Sequence, residues 1–149
     1  MDHVAEFFGN SILITALTGW FVAQVLKVLF VLIWNKRFDI KRMVGSGGMP
    51  SSHSAFVVSL ACAVGLVEGF SSTFFALSVC FALFVMYDAA GVRRAAGQQA
   101  RILNKMVEQW EKGDFSVTDK RLKELLGHSP IEVIAGAILG FMIAVIRHV

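Results

Sequence analysis

Residues 11–34 read SILITALTGWFVAQVLKVLFVLIW, an apolar stretch broken by strongly polar side chains only at Gln24 and Lys27. A transmembrane helix takes about 20 such residues, so this stretch predicts a helix that crosses a bilayer. Of all 149 residues, 56% are hydrophobic and 17% are charged, against about 45–50% and about 25% in soluble domains. The composition excludes an ordinary soluble domain, and two cysteines are too few for a disulfide-rich scaffold. The length predicts one domain, residues 1–149.

Three further apolar stretches are predicted to form membrane spans, running from about Ser52 to Val67, from about Thr73 to Val92 and from about Pro130 to Ile146. Residues 92–112 carry apolar side chains near one helical face and basic ones elsewhere. This pattern predicts an amphipathic helix that lies on the membrane surface or packs against the bundle. Residues 111–118 are predicted to be a loop. The fold class is therefore an all-α integral membrane protein, with about four transmembrane helices and one amphipathic helix.

Basic residues are concentrated in two of the segments that connect these spans. Twelve of the fourteen Lys and Arg residues lie between spans one and two or between spans three and four. The positive-inside rule predicts that these segments are cytoplasmic. Both termini are then expected outside the cell, in a multi-pass protein of the cell membrane.

The first of three polar clusters reads GGMPSSHS at residues 47–54. Its glycines and proline favour a tight turn that opens a helix, with a serine as the N-cap. The N-terminus of that helix offers free N–H groups to an anion, and His53 adds a titratable proton. The alternative is a capped helix start with an incidental histidine.

The second cluster reads YDAAGVRR at residues 87–94. Arg93 and Arg94 are either interfacial anchors at a membrane exit or a clamp for phosphate oxygens. Asp88 is close enough in sequence to hold one of the two guanidinium groups. The residues alone leave both interpretations open.

The third cluster reads LGHSPIE at residues 126–132. Ser129, Pro130 and Glu132 form a capping-box pattern, which explains Glu132 without catalysis. His128 stands just before the predicted helix start and is not explained by the cap. A Glu132 carboxylate bonded to the His128 ring would fix its tautomer and raise the basicity of the other nitrogen, as suits a nucleophile.

Lys27 lies about seven residues, or roughly 10 Å, from the end of the first span. An ionisable side chain at that depth is expected to face the bundle interior or a cavity, together with Gln24 on the same helical face. The alternative is that Lys27 snorkels to the membrane surface.

Together these clusters resemble the type 2 phosphatidic acid phosphatase and vanadium-dependent haloperoxidase superfamily, most closely its divergent (YuiD-like) bacterial branch. The second superfamily motif, Pro-Ser-Gly-His, matches residues 50–53, with Ser52 in place of Gly. The third motif, His-x-x-x-Asp, matches residues 128–132, with Glu132 in place of Asp. The first motif, a Lys followed seven residues later by Arg-Pro, is absent as written.

The resemblance implies a role for each matching residue. His128 corresponds to the nucleophile that becomes a phosphohistidine, Glu132 to its orienting carboxylate, and His53 to the acid that protonates the leaving oxygen. Ser51 and Ser52 would hold phosphate oxygens with nearby backbone N–H groups. Lys27 is the first candidate for the missing lysine, with Lys41 and Arg42 behind it, and Arg93 or Arg94 would replace the missing arginine.

The resemblance implies a lipid phosphate or diphosphate phosphatase whose site faces the cytoplasm and whose substrate resembles phosphatidylglycerophosphate or a polyprenyl diphosphate. We predict no cofactor, because no carboxylate pair or Cys/His set has the spacing of a metal site. We also predict no nucleic-acid partner. The alternative is a non-catalytic scaffold or lipid-binding subunit, with a transporter as a weaker third option. Gly136 and Gly140 permit close helix packing within the chain or in a homo-oligomer.

Overall fold

A computed structural model describes residues 3–35, 48–111 and 128–149, and the side chains at 4, 34–35, 92–94 and 109–111 fall outside the description. These ranges contain helices and no strand. The helices are α1 (His3–Gly9), α2 (Ser11–Asn35), α3 (Ser52–Glu68), α4 (Thr73–Ala90), α5 (Val92–Glu111) and α6 (Pro130–His148). Apart from Glu111, the loop predicted at 111–118 lies outside the described residues.

The all-α membrane class is confirmed, with one difference in helix length. Among the described residues, three helical runs are long and apolar enough to cross a membrane: Ser11–Ile33, Thr73–Glu108 and Pro130–His148. The predicted second span forms α3, whose 17 residues extend roughly 26 Å, short of a hydrocarbon core of about 30 Å. Because α3 packs against α2, α4 and α6, protein surrounds most of this short helix.

Small side chains allow α3 to occupy the centre of the bundle. Its buried residues are Ser52, Ser54, Ala55, Val57, Ser59, Ala61, Ala63, Val64 and Gly65. Helices that lack large side chains at their contact can bring their backbones close together. The hydroxyl of Ser59 donates a hydrogen bond of 2.6 Å to the carbonyl of Ala55, so this polar group is satisfied within α3.

The glycine pair of α6 packs within the chain, directly against α3. A Cβ on Gly136 would overlap the carbonyl oxygen of Ser51 and come within 3.0 Å of Ser54 Cβ. A Cβ on Gly140 would meet the backbone of Ala55 and would lie 2.9 Å from the nitrogen of Ser59. The two glycines are therefore used in an intrachain contact.

The end of α4 continues into α5 with little interruption. Gly91 donates to the carbonyl of Tyr87 at 2.8 Å, and its own carbonyl accepts from Ala95 at 3.0 Å. The predicted helix at 92–112 is thus present, as α5. Its apolar side chains Ile102 and Met106 are about half exposed, whereas Asn104 is buried. Those two apolar side chains do not pack into the bundle, so the surface placement stays a prediction.

Replacing Gly136 by Ala is expected to destabilise the bundle, because the added Cβ would overlap the Ser51 carbonyl oxygen. We expect a loss of about 1–3 kcal/mol, typical of overpacking. The loss should appear as a lower thermal midpoint of the detergent-solubilised protein. Gly9→Ala is the matched control, because a Cβ there has nothing within 4 Å. Equal midpoints for the two variants would contradict the tight α3–α6 contact.

Candidate phosphate site

Two backbone hydrogen bonds bring three helix ends together. The Ser51 N–H donates to the carbonyl oxygen of Glu132 at 3.0 Å, which joins the start of α3 to the first turn of α6. The His128 N–H donates to the carbonyl oxygen of Ala89 at 3.1 Å, which joins the residue before the N-cap of α6 to the end of α4. The first and third sequence clusters therefore meet beside the second.

The start of α3 is a buried cluster of serine side chains. Ser51 is the N-cap, as the sequence predicts for a serine, and its hydroxyl oxygen accepts from the Ser54 N–H at 3.3 Å. The Ser54 hydroxyl donates to the same oxygen at 3.1 Å. Ser52 is also buried. These residues place hydroxyl groups at the helix end where backbone N–H groups and the dipole favour an anion.

Lys27 lies inside the bundle and reaches the start of α3. Its side chain is 2% exposed, so the snorkelling interpretation is wrong. Nζ donates to the hydroxyl of Ser52 at 3.5 Å, a long hydrogen bond. The carboxylate of Glu132 also interacts electrostatically with this ammonium group. A buried cation therefore stands at the anion-favouring end of α3.

Gly48 belongs to the glycine pair predicted to turn the backbone before α3, and it also lies against Lys27, a contact that the sequence did not predict. Its φ of +98° lies in the left-handed region that favours glycine. A Cβ at this position would lie 3.2 Å from Cγ of Lys27. The glycine therefore allows the backbone before α3 to turn closely over the lysine stem.

The rings of His53 and His128 are in contact. Their ring centroids are 5.7 Å apart, with the ring planes at 77°. His128 is completely buried, whereas His53 is half-buried. Two imidazoles at this separation can act on one phosphoryl group, with one as the nucleophile and the other as a proton donor.

Glu132 makes the capping box that the sequence predicts. Its carboxylate accepts from the Ser129 N–H at 3.0 Å, and the Ser129 hydroxyl oxygen accepts from the Glu132 N–H at 3.4 Å. The cap explains the position of this carboxylate without catalysis. The role of Glu132 in orienting His128 stays a prediction.

The structure does not describe the side chains of the arginine candidates. Arg93 and Arg94 begin α5, but their side chains fall outside the described residues, as does Arg42 entirely.

Within residues 3–35, 48–111 and 128–149, no group of three His, Cys, Asp or Glu residues is arranged to hold a metal ion. Among the described residues, Lys27 is thus the cation that the structure places at the site.

An apolar groove of about 800 Å³ lies between α2, α3 and α4 and opens beside the site. Its walls include Leu17, Trp20, Phe56, Cys80, Phe81 and Phe84, and its polar lining is His53 and Asp88. The sequence did not predict this groove. Its lining residues come from three helices, and aromatic side chains do not stand out in a chain that is apolar throughout.

Comparisons with known proteins identify the family of the chain. The family model described as the divergent PAP2 family matches residues 8–143. The uncharacterized membrane protein YuiD of Bacillus subtilis (strain 168) is 41% identical over 151 residues, which cover 95% of this chain and 96% of YuiD. No solved structure matches the chain. Because the family match spans nearly the whole chain, the protein belongs to the divergent PAP2 family.

Proposed function

We propose that this protein is a membrane phosphatase that hydrolyses the phosphate ester or diphosphate of a lipid through a phosphohistidine. The observation that carries the proposal is the convergence of Lys27, Ser52, His53 and His128 at one end of the bundle. A buried cation, a helix N-terminus and two facing imidazoles are the parts that phosphoryl transfer needs. Membership of the divergent PAP2 family supports the same reaction class.

In the first step, a ring nitrogen of His128 attacks the phosphorus atom and forms a P–N bond. The P–O bond to the leaving group breaks, and protonated His53 donates its proton to the leaving oxygen. Lys27 and the N–H groups at the start of α3 stabilise the negative charge on the equatorial oxygens. The products of this step are the alcohol, or the lipid monophosphate when the substrate is a diphosphate, and the phosphohistidine.

In the second step, water attacks the phosphohistidine. Neutral His53 accepts a proton from that water, the P–N bond breaks and inorganic phosphate leaves. His53 returns to its protonated form and His128 to its neutral form, so the cycle consumes one water molecule. Both roles of His53 require it within hydrogen-bond reach of the reacting oxygen, and its contact with the His128 ring supports that position.

A lipid-binding protein without turnover is the second candidate, because the apolar groove also suits a lipid ligand. The two candidates share the groove and the cationic site but differ in whether His128 forms a covalent bond. A covalent phosphohistidine would distinguish the phosphatase from the lipid-binding protein, whereas lipid binding would not.

His128→Asn is expected to abolish phosphate release, with a loss of at least 1000-fold, while the protein remains folded. Asparagine suits this test better than alanine because His128 is fully buried and alanine would leave a cavity. The measurement is phosphate release from a lipid-phosphate panel, followed by trapping of an acid-labile, alkali-stable ³²P-labelled protein. Phosphate release by His128→Asn at the rate of the unmodified chain would contradict the histidine mechanism.

Glu132→Gln separates capping from catalysis in the same assay. The glutamine side chain keeps an oxygen that can accept from the Ser129 N–H, so α6 should still begin correctly. A fall in turnover without a fall in thermal midpoint is expected, because the variant removes the charge that would orient His128 and that attracts the Lys27 ammonium group. Full turnover would assign Glu132 to the cap alone.

Vanadate is expected to inhibit the enzyme, because its five-coordinate form resembles a phosphoryl group in transfer. Lys27→Met should weaken this inhibition about 10- to 100-fold, since a hydrogen bond from a charged group contributes about 1.5–3 kcal/mol. Lys105→Met, on an exposed position of α5, is the control and should bind vanadate normally. Loss of activity in EDTA, restored by Mg²⁺, would instead indicate a metal-dependent reaction.

We also propose that the site faces the cytoplasm. The basic segments of the sequence connect the end of α2 to the start of α3, and the end of α4 to the start of α6. These four helix ends lie at one end of the bundle, which supports the proposal. In a Cys62→Ala, Cys80→Ala background, Ser71→Cys should react with an impermeant maleimide in intact cells, and Lys105→Cys should react only after lysis. Equal labelling of both variants in intact cells would refute this orientation.

A further inference from the structure

We infer that the groove between α2, α3 and α4 binds the hydrocarbon chain of the substrate itself, so that the phosphate reaches the site from within the bilayer. This inference rests on the proposed phosphatase function and adds how the substrate is held. The occupant is a hydrocarbon chain covalently joined to the phosphate. Bulk bilayer lipid and a second copy of the protein are the competing occupants.

The groove has the lining that such a chain requires. Trp20 from α2, Phe56 from α3, and Phe81 and Phe84 from α4 supply aromatic walls, and the small side chain of Cys80 also lines the groove. The strongly polar side chains in its lining are those of His53 and Asp88. Apolar lining with a few convergent polar groups is the usual construction of a small-molecule site.

The polar end of the groove coincides with the phosphate site. His53 lines the groove and also faces the ring of His128. Asp88, also in the lining, precedes by one residue the carbonyl of Ala89 that accepts from the His128 N–H. The groove and the site therefore share a border rather than lying at separate places in the bundle.

The groove also extends in the direction expected for a chain. Along α4, Cys80 precedes Asp88 by eight residues, or about 12 Å. Along α2, Leu17 precedes Lys27 by ten residues, or about 15 Å. The groove thus runs from the site toward the middle of the membrane-spanning segments, the region where a hydrocarbon chain already lies.

The role proposed for His53 identifies the chain as the substrate's own. In the first step His53 protonates the leaving oxygen, and that oxygen is the atom to which the rest of the lipid is bonded. A chain that leaves this oxygen starts beside His53 and therefore starts at the mouth of the groove. Bulk lipid has no group that would hold the start of its chain beside His53.

Fluorescence of Trp20 provides a test that does not require turnover. Trp34→Phe and Trp110→Phe leave Trp20 as the single tryptophan, and the protein is placed in phosphatidylcholine nanodiscs. 12-Bromododecyl phosphate should quench Trp20 saturably, read by stopped-flow mixing before hydrolysis. 12-Bromododecanol partitions into the nanodisc but lacks the phosphate, so it should produce no saturable quenching.

Two matched variants on α4 test the position of the chain. Cys80→Phe fills the groove and should weaken the saturable quenching by at least fivefold. Leu83→Phe adds a ring on the same helix, at an exposed position outside the groove lining, and should leave the quenching unchanged. Partitioning into the nanodisc is common to both variants, so it cancels in the comparison.

Turnover separates failure of this inference from failure of the proposed function. The preference for dodecyl over butyl phosphate, measured as the ratio of kcat/KM, should fall at least fivefold in Cys80→Phe and stay the same in Leu83→Phe. Saturable quenching without any hydrolysis would refute the phosphatase and keep the groove assignment. Hydrolysis with equal quenching by the phosphate and the alcohol, or with no quenching by either, would overturn the groove assignment.

Discussion

The contact between Ser51 and α6 is the constraint on which the site depends. The Ser51 N–H donates to Glu132, and the Ser51 carbonyl lies where a side chain on Gly136 would otherwise be. Both sides of one residue's backbone are thereby fixed against the first turns of α6. Because His53 follows Ser51 by two residues and His128 precedes Glu132 by four, this contact sets the position of both imidazoles. A larger residue at position 136 would separate the two histidines as well as the two helices.

Burial of Lys27 is the second constraint. An uncompensated ammonium group in a membrane interior is costly, and such residues usually face a partner or a cavity. Here the hydroxyl of Ser52 accepts from Nζ, and the carboxylate of Glu132 adds electrostatic attraction. The same carboxylate accepts from the Ser129 N–H in the cap of α6. The arrangement keeps a cation in place at the start of α3, where an incoming phosphate would complete its neutralisation.

The sequence predicted the features that depend on local chemistry and on single helices. The apolar spans, the serine N-cap of α3 and the capping box at Ser129 follow from rules that involve neighbouring residues. The choice between interior and snorkelling positions for Lys27 required the structure, because it depends on what the neighbouring helices offer. The same is true of Gly136 and Gly140, whose pattern permits a contact in the chain or between chains. The groove could not be predicted, since its walls come from three helices whose relative rotation no local pattern fixes.

His53 belongs both to the proposed reaction and to the lining of the groove. The family resemblance implies that His53 protonates the leaving oxygen, and in the structure His53 lines an apolar groove. These assignments are compatible because, in a lipid ester, the leaving oxygen is the atom that carries the hydrocarbon part. The proposed reaction then separates its products by solubility: the alcohol keeps its chain in the groove or the bilayer, while phosphate remains with Lys27 and the start of α3. Water for the second step must enter from the phosphate side, because the groove is apolar. A single residue at the border can therefore protonate the departing lipid and later activate the water that replaces it.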